Sequence, residues 1–178
     1  MTKKTLQRGY FQVYTGEGKG KTTAALGLAF RAAGNGLRTY IGQFMKGVHY
    51  GELTAAKQLA PAIVIEQYGR PAFVHPQQAT EEDINLAKTG LAKLKKAVLN
   101  GEYDIVIMDE VNVALYFKLI SVDEVLEIID QKPEQVEIIA TGRYAPQALI
   151  DRADLVTEMR QIKHYYTQGV KARKGIEK

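Results

Sequence analysis

Short apolar runs alternate with amphipathic stretches along the whole chain. Residues 11–14, 39–44, 63–66, 103–108, 137–140 and 155–159 are rich in β-branched or aromatic side chains and read as strands. Within the fourth of these, Ile105, Val106, Ile107 and Met108 are four apolar residues in succession, the pattern of a central strand covered on both faces. Between the runs the period changes. Ala25, Leu28, Ala29 and Ala32 share one helical face, as do Ile84, Ala87, Leu91, Leu94 and Val98. Thr80 to Asp83 and Ser121 to Glu124 have the spacing of capping boxes and predict two helix starts, the second helix running to Ile129. Shorter helices are expected over 53–59 and 146–150. Gly34 and Gly36 are expected to close the first helix in the left-handed conformation. Strands alternating with helices imply an α/β fold, a three-layer parallel sheet with helices on both faces. At 178 residues the chain reads as one domain, 1–178, with short basic tails at both ends.

Candidate chemistry gathers where strands end. The predicted strand 11–14 runs into Thr15-Gly16-Glu17-Gly18-Lys19-Gly20-Lys21-Thr22-Thr23 and then into the first helix. Strand, glycine loop and helix together hold a phosphate chain: glycines let backbone N–H groups turn inward, and the helix aims its positive end at the anion. Lys21 adds a full charge, and the Thr22 hydroxyl is placed to reach a phosphate-bound Mg²⁺. The general G-x-x-x-x-G-K-[ST] spacing is met at Gly20, Lys21 and Thr22. Its first glycine position is held by Thr15, with Gly16 one residue late, so a plain glycine-rich turn is the alternative. Asp109 and Glu110 follow the apolar run 105–108 directly, as expected of carboxylates that hold Mg²⁺ on phosphates; simple loop polarity is the bland reading.

Other strand ends are less specific. Lys46, after the second strand, is either an exposed loop lysine or a ligand contact. Arg143, after the fifth, is either a phosphate contact or half of a structural ion pair. The loop 68–79, kept out of helix and sheet by Pro71 and Pro76, carries Arg70, Phe73 and His75, and such loops often act as lids. Phe73 could face a flat ligand there. His75 has no second ligand at metal spacing and reads first as a surface histidine.

Composition narrows the classes. There is no cysteine, which excludes disulfides and thiolate metal sites. No stretch reaches the roughly 20 apolar residues of a membrane span, and the polar, basic start lacks an apolar signal core, so a cytoplasmic protein is expected. The net charge of +4 comes largely from Lys and Arg near the two ends. Without a basic stripe interleaved with aromatics, no nucleic-acid partner is inferred.

The T-G-E-G-K-G-K-T-T run, G-Q-F-M-K-G, I-V-I-M-D-E-V, A-T-G-R and the closing K-H-Y-Y-T-Q-G-V-K-A-R-K-G-I resemble, in order, the P-loop type of ATP:corrinoid adenosyltransferase. The resemblance implies a RecA-like P-loop NTPase fold and a homodimer. It also implies transfer of the 5′-deoxyadenosyl group of ATP to Co(I) of a reduced corrinoid, either cobalamin or a precursor, with release of triphosphate. Mg²⁺ is the implied metal and a flavoprotein the implied reductant. It places Thr15, Gly16, Gly18, Lys19, Gly20, Lys21, Thr22, Thr23, Arg31 and Arg143 around the nucleotide. Thr22, Asp109 and Glu110 fall at the metal, and Lys21, Thr22 and Glu110 take the catalytic roles. Phe73 and His75 fall at the corrinoid, where relatives use aromatic side chains; this chain has no Trp, and a histidine there could ligate cobalt instead of excluding a ligand. The alternatives are an ordinary P-loop ATPase or phosphotransferase that makes ADP, and a non-catalytic carrier of ATP and corrinoid.

Overall fold

A computed structural model describes residues 6–71 and 79–178. The described chain folds around a six-stranded sheet in the order β3-β2-β4-β5-β1-β6. The strands are β1 (Phe11–Thr15), β2 (Thr39–Phe44), β3 (Ile63–Tyr68), β4 (Ile105–Asp109), β5 (Glu137–Thr141) and β6 (Leu155–Glu158). All neighbours pair in parallel, so all six carboxyl ends lie along one edge of the sheet. The helices are α1 (Lys21–Gly34), α2 (Gly51–Gln58), α3 (Glu81–Leu99), α4 (Val111–Tyr116), α5 (Val122–Asp130) and α6 (Gln147–Arg152).

Alternation along the central strands divides the core. Ile105, Ile107, Ile41 and Ile139 face Ala25, Ala29 and Ala32 of α1 and Ala56 of α2. Alanines at these contacts let α1 lie close to the sheet. Val106, Met108, Phe11, Val13 and Ile138 face the other way, into a cluster with Leu91, Leu94 and Val98 of α3, Val125 and Ile128 of α5 and Leu149 of α6. A strand apolar on both sides is therefore what a two-faced sheet requires.

Local signals account for most boundaries. Both capping boxes form: Thr80 Oγ1 and Ser121 Oγ accept from Asp83 N and Glu124 N, and each N3 carboxylate returns the bond to the cap's N–H. Helix α1 ends differently from the expectation. Gly34 is its last helical residue, Asn35 caps it, and only Gly36 is left-handed, at φ 78°. Strand β4 begins two residues late, because Asp104 turns its carboxylate to accept Arg38 N at 2.9 Å. Tyr68 belongs to β3, not to the following loop. Helix α4 has no sequence signature: its first-turn neighbour Glu110 is left-handed at φ 60°, ψ 18° and makes no side-chain cap.

Asp83 does double duty at the α3 start, accepting from Thr80 and taking both Nε and Nη2 of Arg70 at 2.7 Å. The Arg70 guanidinium holds its carboxyl down at about 2. An aspartate whose folded value lies below the ordinary value of about 3.9 contributes stability above that value and loses it as pH falls toward the folded one. Urea midpoints measured between pH 5 and pH 2 should therefore fall more steeply for the wild type than for Asp83→Asn. Parallel curves would remove the pair from the acid sensitivity of the fold.

Candidate active site

Strand β1 delivers the glycine loop to the carboxyl edge. Gly16 and Gly20 take positive φ, 96° and 124°, which residues with a Cβ rarely adopt. A Cβ at Gly16 would lie 2.5 Å from Met159 O, so the chain after β6 packs directly on the loop. Gly18 N donates to the same carbonyl at 2.6 Å. From inside, Lys21 Nζ donates to Gly16 O and Gly18 O, both at 2.7 Å, and curls the loop around its ammonium. Burial pushes Lys21 below the ordinary lysine value, with Glu110 opposing that shift and Arg143 adding to it.

Across the edge, Asp109 ends β4 and is 1% exposed. Its Oδ1 accepts from Thr22 Oγ1 at 2.8 Å and from Thr141 Oγ1 at 2.7 Å. Its Oδ2 accepts from Lys46 Nζ at 2.9 Å and Gln43 Nε2 at 3.2 Å. A carboxylate has about four acceptor positions, and protein donors fill all four. Lys46 is further bracketed by Glu52 at 3.8 Å. Burial works against its charge, but Asp109, Glu110 and Glu52 together outweigh it and raise its pKa.

Glu110 is placed differently. Its N–H donates to Thr141 Oγ1 at 3.0 Å, while its carboxylate makes no hydrogen bond among the described residues and faces the cleft. Burial raises its pKa, Asp109 reinforces the shift, and Lys46, Lys21 and Arg143 oppose it. Gly142, at φ 129°, leaves room for that side chain: a Cβ there would meet Glu110 Oε2 at 3.2 Å and Asn112 Cβ at 3.0 Å.

These groups border one cleft of about 930 Å³, in the range of small-molecule sites. Gly18, Lys19, Gly20, Lys21, Thr22 and Thr23 line it from the loop, and Glu110 and Arg143 from the ends of β4 and β5. Arg143 makes a long, exposed pair with Glu17, 3.5 Å, and lies 5.9 Å over the Tyr144 ring, loose contacts that leave its guanidinium available to an anion. Thr15 and Gly16 do not line the cleft; Thr15 Oγ1 accepts from Ala145 N at 3.3 Å. Arg31 is not brought in. It is exposed in the last turn of α1, and at about 1.5 Å per residue the helix carries it roughly 15 Å from Lys21. Phe73 and His75 lie outside the described residues.

A glycine loop between a buried strand and a helix, with one strand between it and a strand-end aspartate, defines a P-loop nucleotide-binding fold of the RecA-like kind. Residues 7–177 match the family ATP:corrinoid adenosyltransferase BtuR/CobO/CobP, and the chain belongs to that family. It is 33% identical to the corrinoid adenosyltransferase of Sinorhizobium sp., over 99% of this chain and 84% of that protein. It is 34% identical to the corrinoid adenosyltransferase of Escherichia coli K12, over 96% of this chain and 86% of the relative. Among solved structures it resembles the flagellar accessory protein FlaH of Methanocaldococcus jannaschii, with TM-score 0.58, 16% identity, and 86% and 72% of the two chains covered. That likeness concerns the fold alone.

Sequence reasoning misses two groups. Gln43 and Thr141, both buried, reach Asp109 only through strand register, with Gln43 directly opposite it, and Lys46, expected as a loop lysine or a ligand contact, joins them on that carboxylate. Gln161, His164, Tyr166, Ile176 and Glu177 come from the segment after β6, a polar stretch with one short 3-10 turn at Tyr165–Gln168.

Proposed function

We propose that the chain binds MgATP with its triphosphate in the loop 15–23 and transfers the 5′-deoxyadenosyl group to Co(I) of a reduced corrinoid. The Co(I) lone pair forms the Co–C bond to C5′, and the C5′–O bond breaks with its electron pair leaving on the triphosphate. Co(I) carries no proton, so the step needs no general base. The protein's part is positioning and stabilisation of charge on the departing group. Lys21, Lys19, Arg143 and the loop N–H groups are suited to that charge.

The donor set fits Mg²⁺, a hard cation that takes oxygen ligands and completes its shell with phosphate and water. Thr22 and the unpartnered Glu110 carboxylate would hold it, and Asp109 would orient Thr22 instead of binding the ion, since its acceptor positions are filled. When bound, Mg²⁺ supplies charge neutralisation at the phosphates. The reading extends to the homodimer, the cytoplasmic location and the flavoprotein electron donor that the family resemblance implies.

The observation that carries this function is the family match across residues 7–177, with the glycine loop and the Asp109-Glu110 end of β4 both inside it. The test is anaerobic incubation with MgATP and chemically reduced cobalamin. The expected result is loss of Co(I) absorbance, a light-sensitive adenosyl corrinoid and one triphosphate per turnover. ADP with no alkylated corrin would overturn the reading.

A further inference from the structure

We propose that helix α4 positions Arg143: Asn112 and Tyr116, one turn apart on that helix, hold the turn 142–145 so that the guanidinium meets the triphosphate in the loop 15–23. This rests on the reading above that the loop takes the triphosphate, and it names the residues that aim the arginine bordering it.

The turn 142–145 is tied at both ends. At the first, Gly142 N donates to Tyr14 O at 3.1 Å, and Gly142 O accepts from Asn112 Nδ2 at 3.0 Å. At the last, Ala145 N donates to Thr15 Oγ1 at 3.3 Å. Tyr14 and Thr15 belong to β1, so the turn is fastened to the strand that carries the glycine loop. Between the ties stand Arg143, whose side chain has only loose contacts, and Tyr144. What orders the middle of the turn is the Tyr144 ring, which lies on the Tyr116 ring with centroids 4.3 Å apart and planes at 33°.

Three features of these residues follow from that role. Tyr144 is left-handed at φ 62°, a conformation that residues with a Cβ rarely adopt. Such a conformation persists where the surroundings over-determine it, and the ring pair does so here. Tyr116 and Tyr144 are 54% and 46% exposed, so the pair orders a surface turn more than it fills the core. Asn112 is fully buried, yet its Oδ1 has no hydrogen-bond partner among the described residues. A half-paired amide in the interior carries a cost that an apolar side chain would not, and the bond to Gly142 O is what this position supplies in return. Asn112 and Tyr116 are four residues apart, on one face of a helix that begins directly after Glu110. One short helix thus sets both the carboxylate assigned to Mg²⁺ and the arginine assigned to the phosphates.

The experiment is a double-variant cycle on the full chain. It is read by calorimetric titration with magnesium tripolyphosphate and by single-turnover loss of Co(I) absorbance with MgATP and chemically reduced cobalamin. The wild type is compared with Tyr116→Ala, Tyr116→Phe, Arg143→Ala and the double variant Tyr116→Ala, Arg143→Ala. Tyr116 is varied in place of Tyr144, whose left-handed backbone would respond to substitution by itself, and a thermal melt checks the fold. Arg143→Ala is expected to lower tripolyphosphate affinity and transfer rate about 10- to 100-fold, the loss of a charged hydrogen-bond donor. Tyr116→Ala should lower both about 2- to 10-fold, the share of an aromatic pair. The double variant should be no weaker than Arg143→Ala, and Tyr116→Phe, which keeps the stack, should stay within about twofold of the wild type. Losses that multiply in the double variant would mean that Tyr116 acts apart from Arg143 and would overturn the proposal. So would an unchanged Tyr116→Ala or Arg143→Ala, or a Tyr116→Phe as weak as Tyr116→Ala. A wild type that binds tripolyphosphate with this cycle but makes no adenosyl corrinoid would overturn the functional reading and leave the positioning role in place.

Discussion

Lys21→Ala is expected to lower the rate of adenosyl transfer by about 100- to 1,000-fold, the usual cost of removing one preorganised group from a developing negative charge. The geometry makes this lysine more than a point charge. Its ammonium gathers Gly16 O and Gly18 O, so its loss leaves two inward-facing carbonyls without their donor at the place where phosphate oxygens must sit. Two negative dipoles would then oppose the triphosphate in both ground and transition states. MgATP affinity should therefore fall together with turnover. Lys21→Met keeps the buried stem and removes only the charge, and should retain the fold while losing a similar share of the rate. Single-turnover loss of Co(I) absorbance, paired with triphosphate release, measures both. Near-normal turnover in either variant would take the loop out of the mechanism.

The loop was legible because its chemistry is local: glycines, lysine and threonine are contiguous, and an apolar run precedes them. The same holds for the two capping boxes, each complete within four residues. The four-residue apolar run of β4 announced a two-faced strand because burial on both sides is written into the strand itself. What escaped depends on distance in sequence. The partners of Asp109 come from β2, the turn after it, α1 and β5, and only the sheet order brings them to one carboxylate. Helix α4 escaped because Val111 to Tyr116 could equally extend β4; the left-handed Glu110 breaks the strand, and no side-chain pattern announces that turn. Arg31 failed for the opposite reason. It is close to the loop in sequence, and a straight helix moves it away.

Asp109 and Glu110 are adjacent in the chain, and their amide variants are expected to behave in opposite ways. In Asp109→Asn one oxygen becomes a donor. Whichever way the amide turns, one side loses its acceptor: either the Thr22 and Thr141 hydroxyls or the Lys46 and Gln43 donors. Either way Lys46, with a side chain only 15% exposed, loses its close charge partner and keeps only the longer pair with Glu52 at 3.8 Å. Breaking a buried pair from one side costs about 3–5 kcal/mol, a large part of the stability of a small protein. Glu110→Gln removes a carboxylate that accepts no hydrogen bond among the described residues and whose pKa burial and neighbouring Asp109 push up against the pull of Lys46, Lys21 and Arg143. A carboxylate raised in the folded state weakens the fold once pH exceeds its ordinary value, so at pH 7 the neutral amide should leave stability unchanged or improve it. Activity should nonetheless fall steeply, because an amide oxygen is a poorer ligand for a hard cation. Denaturation midpoints and Mg²⁺-dependent turnover, measured on both variants, separate the two roles. Equal loss of stability would make Glu110 a second structural carboxylate, and a stable Asp109→Asn with a weakened Mg²⁺ response would move the metal to Asp109.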